Sequence, residues 1–118
     1  MKEINILWVD SEHPESWEDT IEDLNQGQDF KVTLLSSTER ERVIGECQGK
    51  DMVVIHRGFV SSVETKKLLE EIKSRHQKIR IGLDSNAVNQ ILEPVTDFQV
   101  YKPITIDELR QLLKKAFK

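Results

Sequence analysis

Short apolar runs and amphipathic stretches alternate along this chain. INILWV (4–9), KVTLLS (31–36), MVVIH (52–56), KIRIGL (78–83) and DFQVY (97–101) are bounded by polar residues and read as five β-strands. Gly82 weakens the strand propensity of the fourth. Between the strands the period changes. Trp17, Ile21 and Leu24 fall at i, i+4 and i+7, which predicts a helix with Pro14 in its first turn and NQGQD (25–29) as its stop. Val43, Ile44 and Cys47 form the apolar side of a short helix that stops near Gly49, with Ser36 and Glu39 as a capping-box pair. Ser61 and Glu64 repeat that pair ahead of a helix that buries Leu68, Leu69 and Ile72. Residues 86–95 have room only for a short helix before Pro94. Thr105 and Glu108 cap a last helix whose Ile106, Leu109, Leu113 and Ala116 face inward.

Strands alternating with helices imply right-handed crossovers and a parallel sheet covered on both faces. The expectation is one doubly wound α/β domain over residues 1–118. In such sheets ligands sit outside the carboxyl ends of the strands, where strand order reverses. That edge collects Asp10, Ser11 and Glu12; Ser36 and Ser37; His56 and Arg57; Asp84, Ser85 and Asn86; and Lys102.

Composition narrows the class without changing the fold. At 118 residues, 37% apolar and 32% charged, the chain can form a core without staples. Cys47 stands alone, so no internal disulfide is possible and it reads as a small core residue. The first apolar run is too short for a signal peptide or a membrane span, so a cytoplasmic location with no membrane contact is expected. The net charge is -4, and residues 1–30 carry nine acids against Lys2 alone. With no concentrated basic surface, direct nucleic-acid contact is not expected. The acidic first helix reads as a solvated face. So does the cationic last helix, whose Arg110, Lys114, Lys115 and Lys118 complement its dipole. His13 and His76 are expected at the surface near helix ends.

ILWVDSE (6–12) and VYKPITIDELRQLL (100–113), in this order of elements, resemble the receiver domain of two-component response regulators. The resemblance spans essentially all 118 residues. It implies a flavodoxin-like (CheY-like) fold, a five-stranded parallel sheet of order 2-1-3-4-5 with helices on both faces, here with a shortened fourth helix. It also implies a known chemistry. A carboxylate ending the third strand takes the phosphoryl group, two acids after the first strand hold Mg²⁺, and a Ser/Thr after the fourth strand and a Lys after the fifth grip the phosphoryl oxygens.

Checked against that pattern, Asp10 matches the first acid, Ser11 stands where the second is usual, and Glu12 matches the acid that often follows. His56 falls at the acceptor position. No register slip supplies a carboxylate, because residues 52–63 contain neither Asp nor Glu. Asp51 begins the same strand, about 16 Å away at roughly 3.3 Å per residue. Asp84 occupies the Ser/Thr position, with Ser85 one residue on, and a carboxylate there repels phosphate. Lys102 and Pro103 match fully. Gln99 replaces the aromatic residue that the family uses as a switch on its output face, and Tyr101 shares the strand face of Gln99 by period two.

The resemblance therefore implies a degenerate receiver, or pseudo-receiver. Such a domain is not an enzyme, has lost its Mg²⁺ site and acts by contact with protein partners of a signalling pathway, with a homodimer left open. A second reading makes Asp10, Glu12, His56 and Asp84 a ligand or metal site, since imidazole shifts preference from Mg²⁺ towards Zn²⁺. A third concerns charge: His56 is an imidazolium held by Asp10 and Asp84 and opposed by Lys102, a group responsive to pH, or a neutral strand-end histidine. A hydrolase built on Ser11 and His56 lacks a visible nucleophile turn or oxyanion site.

Overall fold

The computed structural model describes residues 3–56, 62–85, 96–101 and 104–118. Its elements in chain order are β1 (Ile4–Val9), a 3₁₀ turn (Pro14–Ser16), α1 (Glu18–Gln26), β2 (Phe30–Leu35), α2 (Arg40–Glu46), β3 (Met52–His56), α3 (Ser62–Arg75), β4 (Arg80–Ser85), β5 (Phe98–Tyr101) and α4 (Ile106–Phe117). The short helix expected within 86–95, the Ser61 end of the second capping pair, Arg57, Asn86, Lys102 and Pro103 lie outside the described residues.

The five strands form one parallel sheet in the order β2-β1-β3-β4-β5, as expected. Alternation along the strands splits the core into two layers. Leu7, Val9, Val53, Ile55, Ile81 and Leu83 pack with Val43, Ile44 and Cys47 near α2 and with Leu68, Leu69 and Ile72 of α3. Ile6, Trp8, Met52, Val54, Phe98 and Val100 pack on the other face with Ile21 and Leu24 of α1 and Leu109 and Leu113 of α4. A sheet buried on both faces needs near-continuous apolar strands, and β3 is buried from Met52 to Ile55.

Edge and helix ends are closed by particular side chains. β2 is an edge strand, and the Asn25 amide stands in for a neighbour: it donates to the Val32 carbonyl at 3.0 Å and accepts the Val32 N–H at 2.6 Å. The Thr105–Glu108 capping box forms as expected, with Glu108 N–H donating to Thr105 Oγ1 at 3.2 Å and Thr105 N–H to Glu108 Oε1 at 3.1 Å.

Three expectations are corrected. The first helix does not run continuously from Pro14: a 3₁₀ turn precedes it, and Trp17 is the cap of α1. The Ser36–Glu39 box does not form. Instead Ser37 Oγ accepts the Glu39 N–H at 3.1 Å, a local serine turn that delays α2 to Arg40. The cationic face of α4 is not simply solvated either, because Arg110 donates to the Asp23 carbonyl at 2.9 Å and Lys114 pairs with Asp29 at 3.0 Å, tying α4 to the end of α1.

Gly82 has a reason that strand propensity hides. Its register partner on β5 is Phe98, and a Cβ at Gly82 would run into the Phe98 ring. The missing side chain is the seat of that ring.

Candidate functional site

Three parallel strands end together, and each delivers one polar side chain to the same face. Asp10 follows β1, with its backbone N–H on the Leu35 carbonyl at 3.2 Å. Its Oδ1 accepts the backbone N–H groups of Glu12 at 3.0 Å and His13 at 2.9 Å, the turn that aspartate favours in this setting. Its Oδ2 is buried and has no hydrogen-bond partner among the described residues.

β3 delivers His56 and β4 delivers Asp84, and the two are register partners. Partners on neighbouring strands project to the same side, so their side chains meet: His56 Nδ1 lies 2.7 Å from Asp84 Oδ1. His56 Nδ1 is also 3.8 Å from Asp10 Oδ2, and Nε2 is 3.8 Å from Glu12 Oε1. Asp10 and Asp84 are fully buried, whereas His56 keeps 15% of its side-chain surface exposed.

Among the described residues, the imidazole is thus the basic group that faces the two buried carboxylates, with Glu12 beyond them. The hydrogen bond to Asp84 pushes the His56 pKa above its ordinary value; burial opposes this, and the charges of Asp84, Asp10 and Glu12 add to the rise. Of the three charge states open from sequence, this environment favours the imidazolium.

The floor of the site is a residue that sequence reasoning treated as ordinary core. Trp8 Nε1 donates to Asp84 Oδ2 at 3.1 Å, and the Trp8 ring packs on Trp17 with centroids 4.5 Å apart. A signal was present, since a buried tryptophan needs an acceptor for its N–H and Trp8 lies two residues before Asp10 on the same strand face.

The remaining expected positions fall as follows. Ser11 is partly buried in the turn after Asp10, and Ser85 ends β4 opposite Tyr101. Lys102 and Pro103 lie outside the described residues. Gln99 is buried, and its amide has no hydrogen-bond partner among the described residues. Gln99 and Tyr101 pair with Leu83 and Ser85, on the sheet face opposite Phe98 and Val100. Asp51 belongs to the other end of the sheet, where its Oδ2 accepts the Asn5 N–H at 2.9 Å. A groove of about 690 Å³ also lies at that end, among Lys50, Asp51, Arg75 and Arg80, and none of Asp10, His56 and Asp84 lines it. His13 is exposed as expected, but His76 is partly buried and bonds the Ile44 carbonyl at 3.1 Å through Nε2. Burial pushes the Cys47 thiol up to about 12, which suits a core residue.

No protein-family model matches the sequence, and no curated protein matches it. Solved structures do match. A response regulator from Thermotoga maritima superposes with a TM-score of 0.79 at 16% identity, covering 98% of this chain and 98% of that one. A response regulator receiver domain protein from Clostridium thermocellum gives 0.73 at 23% identity, over 97% and 94% of the two chains. A putative pilus assembly protein from Burkholderia thailandensis gives 0.73 at 20% identity, over 96% and 97%. At these identities the likeness is one of fold: the chain has the CheY-like, flavodoxin-like architecture of receiver domains.

Proposed function

We propose that this chain is a receiver-like signalling domain that does not accept phosphate on aspartate and works by docking protein partners. The observation that carries the proposal is the His56–Asp84 pair. At the end of β3, where a receiver presents its acceptor carboxylate, stands an imidazole bonded at 2.7 Å to the residue that occupies the Ser/Thr position. Aspartyl phosphate has no acceptor at that strand end, and an incoming phosphoryl group would meet the Asp84 carboxylate rather than a hydroxyl.

The donor set does not fit the Mg²⁺ that the family employs. Mg²⁺ requires near-octahedral oxygen ligands, and here a ring nitrogen takes the place of one of them while Asp84 Oδ1 is engaged by that ring. We read His56 as an internal cation that offsets Asp10 and Asp84.

Docking is what the receiver-like architecture leaves to do. The sheet, both core layers and the last helix are complete, whereas the reactive site is rebuilt; a rebuilt site on an intact scaffold supports binding rather than turnover. The proposed partners are proteins of a signalling pathway, a second copy included, with no catalytic role for the domain itself. The setting that fits is the cytoplasm, and among the described residues no helix is long and apolar enough to cross a membrane.

Incubation with acetyl phosphate and Mg²⁺, followed by intact-mass analysis, tests the proposal. No phosphoryl adduct is expected. An adduct that Asp84→Asn or Asp10→Asn abolishes would overturn it.

A further inference from the structure

Each buried carboxylate at the strand ends has one oxygen held by an N–H on its far side and the other facing His56, bonded to the ring in Asp84 and without a hydrogen bond among the described residues in Asp10. Asp10 Oδ1 is held by two backbone N–H groups and Asp84 Oδ2 by the Trp8 indole. Asp10, His56 and Asp84 each offer one ligand atom there, and these three atoms lie within 4.8 Å of one another. Asp10 Oδ2 is the second, independent sign. It is a fully buried carboxylate oxygen with no hydrogen-bond partner among the described residues, aimed at the same point.

We propose that Asp10, His56 and Asp84 form a binding site for a divalent transition metal of the Zn²⁺ or Co²⁺ class. Bonds of roughly 2.0–2.2 Å from nitrogen and carboxylate oxygen place tetrahedral ligand atoms about 3.3 Å apart. The distances from His56 Nδ1, 2.7 Å to Asp84 Oδ1 and 3.8 Å to Asp10 Oδ2, bracket that value. Side-chain shifts below about 1 Å therefore convert the cluster into a three-ligand site, and water completes the shell. The anchored oxygens supply the outer support that metal ligands usually have, with the Trp8 N–H orienting Asp84 and the 10–13 turn orienting Asp10.

Imidazole sets the class of metal. Two carboxylates alone suit Mg²⁺ or Ca²⁺, and adding a ring nitrogen moves preference to Zn²⁺, Co²⁺ or Ni²⁺. Binding exchanges cations in a balanced step: the metal takes the His56 Nδ1 lone pair, and the proton held between Nδ1 and Asp84 leaves to solvent. The inference goes beyond the docking role and stands whether or not a partner binds.

The test uses the full chain after treatment with chelator. Calorimetric titration with Zn²⁺ in buffers of different ionisation enthalpy is expected to show one site with net proton release, and Mg²⁺ no comparable site. Co²⁺ is expected to give visible ligand-field bands and a paramagnetically shifted His56 imidazole resonance, which identifies the ligand without any variant. Asp10→Asn is expected to weaken Zn²⁺ at least about tenfold. The variant His76→Ala, at a histidine bonded to the Ile44 carbonyl instead, is expected to bind like the parent. Absence of Zn²⁺ heat, a Co²⁺ spectrum that leaves His56 unshifted, equal affinity for Mg²⁺, or loss of binding in the His76→Ala variant each overturns the site. None of these outcomes bears on the acetyl phosphate result, so the two proposals fail separately.

Discussion

His56 and Asp84 stand opposite one another at the ends of β3 and β4, joined at 2.7 Å between Nδ1 and Oδ1, with the Trp8 indole on the far oxygen of the same carboxylate. The bond to Asp84 raises the His56 pKa and so favours a positive charge beside two fully buried acids.

Replacing that charge should therefore be costly. His56→Gln is expected to lower stability by about 1.5–3 kcal/mol, the range for a hydrogen bond to a charged group, read from urea unfolding at neutral pH. His56→Asp places a third carboxylate beside Asp10 and Asp84, and millimolar Mg²⁺ is expected to raise the melting temperature of this variant but not that of the parent. Equal responses to Mg²⁺ would show that His56 does not stand in for a cation.

Stability should depend on pH through the same residue. The folded pKa of His56 is raised above 6.5, with Asp84 on β4 and Asp10 and Glu12 at the exit of β1 facing the ring. The stabilisation is then fully present below about pH 6.5 and is lost as pH rises through the folded value. In chelator, the stability difference between the parent and His56→Gln is expected to shrink as pH rises above about 6.5. A difference that widens with pH contradicts the imidazolium.

Trp8 should matter for its N–H as well as its bulk. Trp8→Phe keeps an aromatic ring against Trp17 but removes the donor to Asp84 Oδ2, leaving a buried carboxylate oxygen short of a partner. The expected cost is about 1–3 kcal/mol by urea unfolding, and Asp84→Asn should return the His56 pKa towards its ordinary value in an NMR titration.

Gly82 and Phe98 should be coupled. Gly82→Ala drives a methyl into the Phe98 ring, and overpacking of this kind costs about 1–3 kcal/mol. Once Phe98→Ala has emptied the seat, adding Gly82→Ala is expected to cost little, a non-additivity that a double-mutant cycle measures directly.

Much of this was written in local pattern. Alternation and the 3.6-residue period placed five strands and the four described α-helices, Thr105 and Glu108 announced a real capping box, and the strand-end position of His56 followed from the length of MVVIH. Those features depend on near neighbours in the chain, which is why a single sequence carries them. The Ser36–Glu39 pair showed the same pattern without the box, because a turn on Ser37 competed successfully over the same few residues.

The rest is set by distances between segments remote in sequence. The Trp8–Asp84 bond spans 76 positions and the His56–Asp84 bond 28, and only the parallel register that puts His56 beside Asp84 brings them together. By itself the sequence determined that a strand would end in a histidine among the acids of a receiver-like edge. Tertiary structure decided that this histidine is clasped by one buried carboxylate, faces a second whose outer oxygen has no hydrogen-bond partner among the described residues, and is therefore held in a charged rather than an ordinary environment. Burial removes the water that would otherwise stabilise those acids, so the imidazole beside them gains proton affinity from the fold.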